Sequence, residues 1–173
     1  MLLNCVIFTT LNVGCLRGSA HLKSWTKSIE IDVPIDEVWQ YVDGDLAKMQ
    51  EIMPNVVSYT PVTITDDVVG SVYSQQYREG NRVETYDVHV KEYINDYTHK
   101  KMKVTFILAN YFDISAKYEL ESIPESKTRL TYTATNKALK WFVHLMLLFA
   151  TEKTIVKFVE HIKQVAEKNY EMV

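Results

Sequence analysis

With 173 residues, 47% of them hydrophobic and 24% charged, the chain is long enough for one domain with a substantial core, and its composition is that of a soluble globular protein. A net charge of -3 with both signs interspersed excludes nucleic acid as an expected partner. The two cysteines, Cys5 and Cys15, fall within the first fifteen residues, so the remaining chain has neither a disulfide framework nor a thiolate metal site.

The first segment reads unlike the rest. It is apolar (LLNCVIF, then LNVGCL), and Arg17 is its one charged side chain. A secretory signal wants a basic start, which is missing here. Leu11-Asn12-Val13-Gly14-Cys15 is lipoprotein-box-like except for Asn12, where an aliphatic residue is usual. Residues 1–22 are therefore taken as a leader, disordered or a mis-called start, and 23–173 as a single domain. A secreted or lipid-anchored protein is the alternative.

Regular patterning begins at Lys23. Trp25 to Val33 alternates, with Ile29, Ile31 and Val33 on one side, and predicts a strand ended by Pro34. Asp36 is placed as the N-cap of a short helix carrying Val38, Trp39 and Val42. Asp43-Gly44-Asp45 breaks that helix, and a second runs from Leu46 to Met53, stopped by Pro54. Six strands follow, at 56–64, 71–78, 83–93, 100–109, 112–123 and 128–134, separated by turn residues such as Glu79-Gly80-Asn81 and Asn95-Asp96. Short links favour an antiparallel meander. One face carries Tyr86, Val88 and Val90, then Met102, Val104, Phe106 and Leu108, then Ile114, Ala116, Tyr118 and Leu120, then Leu130 and Tyr132. The opposite positions (Lys101, Lys103, Lys117, Glu119) are solvent-like, so the sheet has one covered and one wet face. Gln76, Arg78 and Glu84 lie on strands where a one-residue slip flips their face, and are left unplaced.

The last stretch, Leu139 to Val173, contains no Pro or Gly and predicts a helix of roughly 50 Å at ~1.5 Å per residue. Trp141, Leu145, Leu148, Ile155, Val159, Ile162, Ala166 and Tyr170 form its apolar stripe; Lys157, Glu160, Lys163 and Glu167 read as a solvated face. From Trp141 to Ala150 it is apolar nearly all round, with His144 the exception. Ten such residues cannot cross a bilayer. They line a cavity, fill a core or dimer contact, or touch a membrane or partner; the first is our expectation. The order strand, two short helices, six strands, long helix is that of an α+β sheet gripping a helix.

Ser28-Ile29-Glu30-Ile31-Asp32-Val33-Pro34-Ile35-Asp36-Glu37-Val38-Trp39 resembles the opening signature of the START-related, birch-allergen-like (SRPBCC) superfamily. Ile52-Met53-Pro54, Gly70-Ser71-Val72-Tyr73 and Lys127-Thr128-Arg129-Leu130 are similar to its second-helix end, its Gly-led third strand and its last strand. The nearest branch is polyketide cyclase/dehydrase and lipid transport. The resemblance spans about Lys23 to Val173 and implies the helix-grip fold: a curved antiparallel sheet of about seven strands around a long C-terminal helix, with a ligand cavity between them. It speaks for fold rather than function, since these motifs are structural.

A cavity of that kind would take a small hydrophobic or amphipathic ligand: a lipid, an isoprenoid quinone or a polyketide-like compound. The residues expected to bind it are Tyr86, Val88, Val104, Phe106, Ile114, Tyr118, Tyr132, Trp141, Leu145, Leu148, Phe149 and Glu152. Glu152 falls on the stripe where an apolar residue belongs. It is either a buried carboxylate with a raised pKa or an edge residue reaching water. If buried it would be the acid/base of a cyclase or dehydratase; a chaperone-activator-like protein-binding module is a further alternative. Phosphate loops, metal spacings and nucleophile elbows are missing, so no cofactor and no metal are expected. The remaining expectations are a cytoplasmic protein, monomeric or weakly homodimeric, with transient membrane contact allowed.

Overall fold

The computed structural model describes residues 22–140 and 151–172. Strand β1 (Leu22–Ile31) leads into two short helices, α1 (Ile35–Asp43) and α2 (Leu46–Ile52). Six strands follow: β2 (Val56–Thr63), β3 (Val72–Glu79), β4 (Arg82–Asn95), β5 (His99–Leu108), β6 (Phe112–Ile123) and β7 (Lys127–Ala138). A C-terminal helix, α3 (Lys153–Tyr170), completes the order. The strands form one seven-stranded antiparallel sheet in the order β1-β7-β6-β5-β4-β3-β2. This is the expected α+β helix-grip fold.

Local chemistry explains the boundaries. Pro34 cannot continue a ladder and lacks an N–H, so it ends the extended segment and opens α1 at Ile35. Pro34 thus takes the cap position expected for Asp36, which instead lies in the first helical turn and favours the helix by its charge. Asp45 does cap α2, accepting from the backbone N–H of Lys48 at 2.9 Å. Between the helices, a Cβ on Gly44 would stand 2.0 Å from the Gln40 carbonyl oxygen. Gly44→Ala must therefore displace backbone and is expected to cost about 1–3 kcal/mol, read from urea unfolding. A loss below half a unit would mean the α1–α2 corner shifts freely.

Helix α3 buries Ile155, Val159, Ile162 and Ala166, four of the residues expected on its stripe, while Tyr170 stays exposed. Their spacing of four, three and four residues keeps them on one face. They meet Ile31, Val33, Val38, Trp39, Leu120 and Leu130 in the main core. Lys163 and Glu167 are not simply solvated, as their sequence pattern suggests. Lys163 Nζ donates to the Glu30 carbonyl at 2.7 Å, and Glu167 accepts from the Asp32 N–H at 3.0 Å. Backbone groups at and just past the end of β1 need partners, and these long side chains supply them. Asn169 donates to the Tyr41 hydroxyl at 3.0 Å and ties the helix end to α1.

A helix unbroken from Leu139 is not what forms. Leu139 and Lys140 bend away from β7, Glu152 lies in a turn, and α3 begins at Lys153. The stretch 141–150, with Trp141, His144, Leu145, Leu148 and Phe149, lies outside the described residues, as does the leader 1–21. On the wet face the lysines and glutamates form a lattice. Glu92 pairs with Lys101 at 2.5 Å and Lys103 at 3.0 Å, and Lys117 with Glu119 at 2.7 Å. Those lysines hold the Glu92 carboxyl below its ordinary pKa. Beside β1, hydroxyl pairs Ser24–Thr135, Thr26–Thr133 and Ser28–Thr131 stand 2.8–3.0 Å apart across the strands.

Candidate functional site

Antiparallel register decides which side chains share the covered face, since directly opposed residues point the same way. Leu120 faces Leu130, Tyr118 faces Tyr132, Ala116 faces Val104 and Ile114 faces Phe106. On β3, Gln75 faces Tyr86 and Tyr77 faces Glu84, so Tyr73, Gln75, Tyr77 and Glu79 point inward, while Gln76 and Arg78 point out. A bulge between Val90 and Glu92 shifts β4 by one residue. Tyr93 therefore takes the inward position opposite Met102, where uninterrupted alternation from Val90 would place Glu92.

The covered face has two regions. Over β1, β7 and β6 it is closed by α1 and α3. There the rings of Tyr118 and Tyr132 lie 4.8 Å apart, tilted by 49°, and meet Phe158 of α3 at 6.4 and 5.0 Å. Both are core residues, 7% and 3% exposed. Burial raises the Tyr132 hydroxyl to about 12 and the Tyr118 hydroxyl well above 10, so neither ionises near neutrality. Val88 is likewise buried, and Val104 packs half-buried against the same core.

Over β2 to β5 the face is a half-buried aromatic wall. Tyr59 and Tyr73 stack at 4.6 Å and 9°, and Tyr86 and Phe106 at 4.9 Å and 19°. Gln75 Nε2 donates to the Tyr86 hydroxyl at 2.9 Å, fixing that ring from the side. A pocket of about 40 Å³ opens here, lined by Tyr77, Glu79, Glu84, Tyr86, Phe106, Leu108 and Ile114. Burial pushes the phenols of Tyr59 and Tyr86 far above their ordinary value, so they serve as neutral hydrogen-bonding groups and not as bases. Burial, reinforced by Glu84, also raises the Glu79 carboxyl.

A polar cluster closes the far end of the same face. Lys100, only 5% exposed, reaches Asp36 at 2.9 Å and Asn95, with its ammonium 6.0 Å from the Trp39 ring centre. Next to it Tyr93 donates to Asp43 at 2.6 Å. Trp39 Nε1 is buried without a well-formed hydrogen bond among the described residues, yet near enough to Asp43 to favour its anion. Partial desolvation of the Asp43 carboxylate, which still reaches the surface, outweighs these helpers and raises its pKa above 3.8; the Tyr93 hydroxyl moves up to about 12 through burial and Asp43. A carboxyl with a raised folded-state pKa binds its proton more tightly when folded. Its stabilising effect is present below 3.8 and is lost as pH rises through the folded value. Asp43→Asn, which keeps an acceptor for Tyr93, should accordingly gain on wild type across that window. Urea midpoints from about pH 3 to pH 7 read this, and a difference flat with pH would show that the carboxyl is fully solvated.

The structure thus gathers Tyr86, Phe106 and Ile114 around one pocket, places Val88, Tyr118 and Tyr132 in the core, and sets Val104 between. Glu152 is exposed at the start of α3, with no side-chain capping bond, and is not the buried carboxylate allowed by the stripe. Because the helix starts only after it, the periodicity that put it on the buried face does not reach it. The carboxylates at the pocket are Glu79 and Glu84. The alternation Tyr73-x-Gln75-x-Tyr77-x-Glu79 was the available signal for the β3 wall, masked by polar residues on both faces. Among the described residues no cluster of His, Cys, Asp and Glu could hold a metal, and no helix is long and apolar enough to cross a membrane.

The model of the family described as polyketide cyclase/dehydrase and lipid transport matches residues 23–167. No curated protein matches the chain by sequence. Solved structures share the fold at low identity. Ara h 8.0201 is 14% identical with a TM-score of 0.64, over 88% of this chain and 100% of its own. The Zhui aromatase/cyclase from Streptomyces sp. R1128 is 14% identical with a TM-score of 0.64, over 87% and 96%. Norcoclaurine synthase from Thalictrum flavum, solved with dopamine and hydroxybenzaldehyde, is 14% identical with a TM-score of 0.60, over 92% and 98%.

Proposed function

Since the chain belongs to the polyketide cyclase/dehydrase and lipid-transport family, we propose that it binds or carries a small hydrophobic or amphipathic molecule between the sheet and the C-terminal helix. Lipids, isoprenoid quinones and polyketide-like compounds are the classes that fit. Family and fold make it a ligand-binding domain of the birch-allergen and polyketide-cyclase type. The observation that carries the binding reading is the aromatic wall over β2 to β5. Its rings stay half-buried, and helix α3 packs instead on β1, β7, α1 and α2. Large apolar side chains left in that state favour an added apolar body. Covering ~300 Å² of ligand at ~25 cal/mol/Å² offers roughly 7 kcal/mol before the costs of association. An acid–base role for Glu152 is less well supported, because its side chain is exposed and away from the pocket.

Native mass spectrometry of protein purified from its own cells, followed by organic extraction, tests this directly. A co-purifying hydrophobic molecule is expected. An empty protein that also fails to take up fatty acids, quinones or a fluorescent apolar probe overturns the reading. Ile114→Trp should fill the pocket and weaken probe binding about tenfold, on the order of 1.4 kcal/mol. Equal affinity in that variant would place the ligand elsewhere.

A further inference from the structure

Strands β4 and β5 pair only from His89–Thr105 to Asn95–Lys100. Both continue beyond that point. From Val88 back to Arg82, β4 stays paired with β3, and from Phe106 to Leu108, β5 stays paired with β6. Continued register would set Val88 against Phe106 and Asp87 against Ile107, yet the ladder between the two strands stops. The sheet is split here, each lip held by its outer neighbour. Lip backbone groups that face the split find no ladder partner there and must be met by water or a ligand.

A cavity of about 610 Å³ occupies the split, lined from β4 by Glu84, Tyr86, Asp87 and His89 and from β5 by Phe106 and Ile107, among others. The hairpin tip Ala109-Asn110, with φ of 51° and 57°, forms its rim. The 40 Å³ pocket on the covered face is lined by three of the same residues, Glu84, Tyr86 and Phe106. The Tyr86–Phe106 stack therefore stands between the outer cavity and the inner pocket. It is a partition of side chains and not of backbone, so a rotamer change that gives up the Gln75–Tyr86 hydrogen bond would open it. The lining carries Glu84, Asp87 and Asp113 and neither Lys nor Arg, and none of the three carboxylates forms an ion pair among the described residues.

We propose that the split between β4 and β5 is a mouth of the ligand cavity, gated by the stacked rings of Tyr86 and Phe106. It admits uncharged or cationic amphiphiles in preference to anionic ones. The proposal rests on the binding reading above and adds the route and the charge preference to it.

The test closes the split reversibly. In a Cys5→Ser, Cys15→Ser background, Asp87→Cys and Ile107→Cys place thiols where a continued ladder would oppose them. Stopped-flow fluorescence then follows the neutral probe N-phenyl-1-naphthylamine. Association and dissociation are both expected to slow about tenfold on oxidation and to recover on reduction. If the thiols stand too far apart to join, Ile107→Cys carrying a bulky maleimide plugs the same opening, with the same expectation. Tyr86→Ala should speed both steps. Displacement of the probe by dodecylamine and dodecanol should outpace displacement by dodecanoate, and Asp87→Asn with Asp113→Asn should narrow that difference. Rates indifferent to closure, with binding intact, overturn the mouth. Equal displacement rates overturn the charge preference. A wild-type protein that binds none of these molecules overturns the binding reading and the mouth together.

Discussion

Leu130→Ala is expected to lower stability by about 2–5 kcal/mol, with a fall in Tm of roughly 10 °C for a chain of this length. Leu130 is fully buried and directly opposite Leu120, itself fully buried, where β6 and β7 meet. On its other side β1 brings Ile29, and the same cluster contains Val38 of α1 and Val159 of α3. Truncation removes methyl groups from a site walled by three strands and two helices. Such a site cannot collapse around the void, so the cavity penalty adds to the lost transfer energy. Calorimetry with denaturant unfolding checks this. A loss under about 1 kcal/mol would mean the helices do not clamp this part of the sheet.

The second large effect is asymmetric. Asp36→Ala should cost about 1–3 kcal/mol, while Lys100→Met should stay within about 1 kcal/mol of wild type. The side chain of Lys100 is 6% exposed and that of Asp36 is 70% exposed. Removing the aspartate leaves a buried ammonium with Asn95, the Trp39 ring and the more distant charge of Asp43. Removing the lysine leaves a carboxylate that water can reach, and methionine refills the volume against Trp39. Paired urea titrations of the two variants decide the matter. Equal losses, or a larger loss for Lys100→Met, would show that the ammonium is solvated in the folded state.

The covered face of β5 to β7 was legible because register there runs without interruption from His99–Glu121 to Leu108–Phe112 and from Phe112–Ala138 to Ile123–Lys127. Strict alternation on both partners leaves one solution, since a slip of one residue would bury lysines and expose Leu120 and Leu130. The wall of β3 was not legible. Tyr73, Gln75, Tyr77 and Glu79 alternate with Val72, Ser74, Gln76 and Arg78 there, and neither parity is clearly apolar. The bulge beside Lys91 escaped for a related reason: a strand that changes parity midway looks, in sequence, like one whose polar residues are unevenly placed. Tyr86, Phe106 and Ile114, which line the 40 Å³ pocket, were assigned to the covered face by their parity alone. Glu79 and Glu84 were not, because a carboxylate on a covered face contradicts the pattern that identifies the face.

What the amino-acid order determined by itself was everything set by short-range periodicity and turn chemistry. That includes the succession of strands and helices, the antiparallel meander, the buried stripe of α3 from Ile155 to Ala166, and the family resemblance opened by Ser28 to Trp39. What only the tertiary structure decided were pairings between remote segments: Lys100 with Asp36, Lys163 and Glu167 with the end of β1, and the parting of β4 from β5 after His89. The physical reason is one of range. Alternation is paid for by each residue's own contact with core or water, whereas a pairing depends on what every other element leaves unsatisfied once the chain has closed.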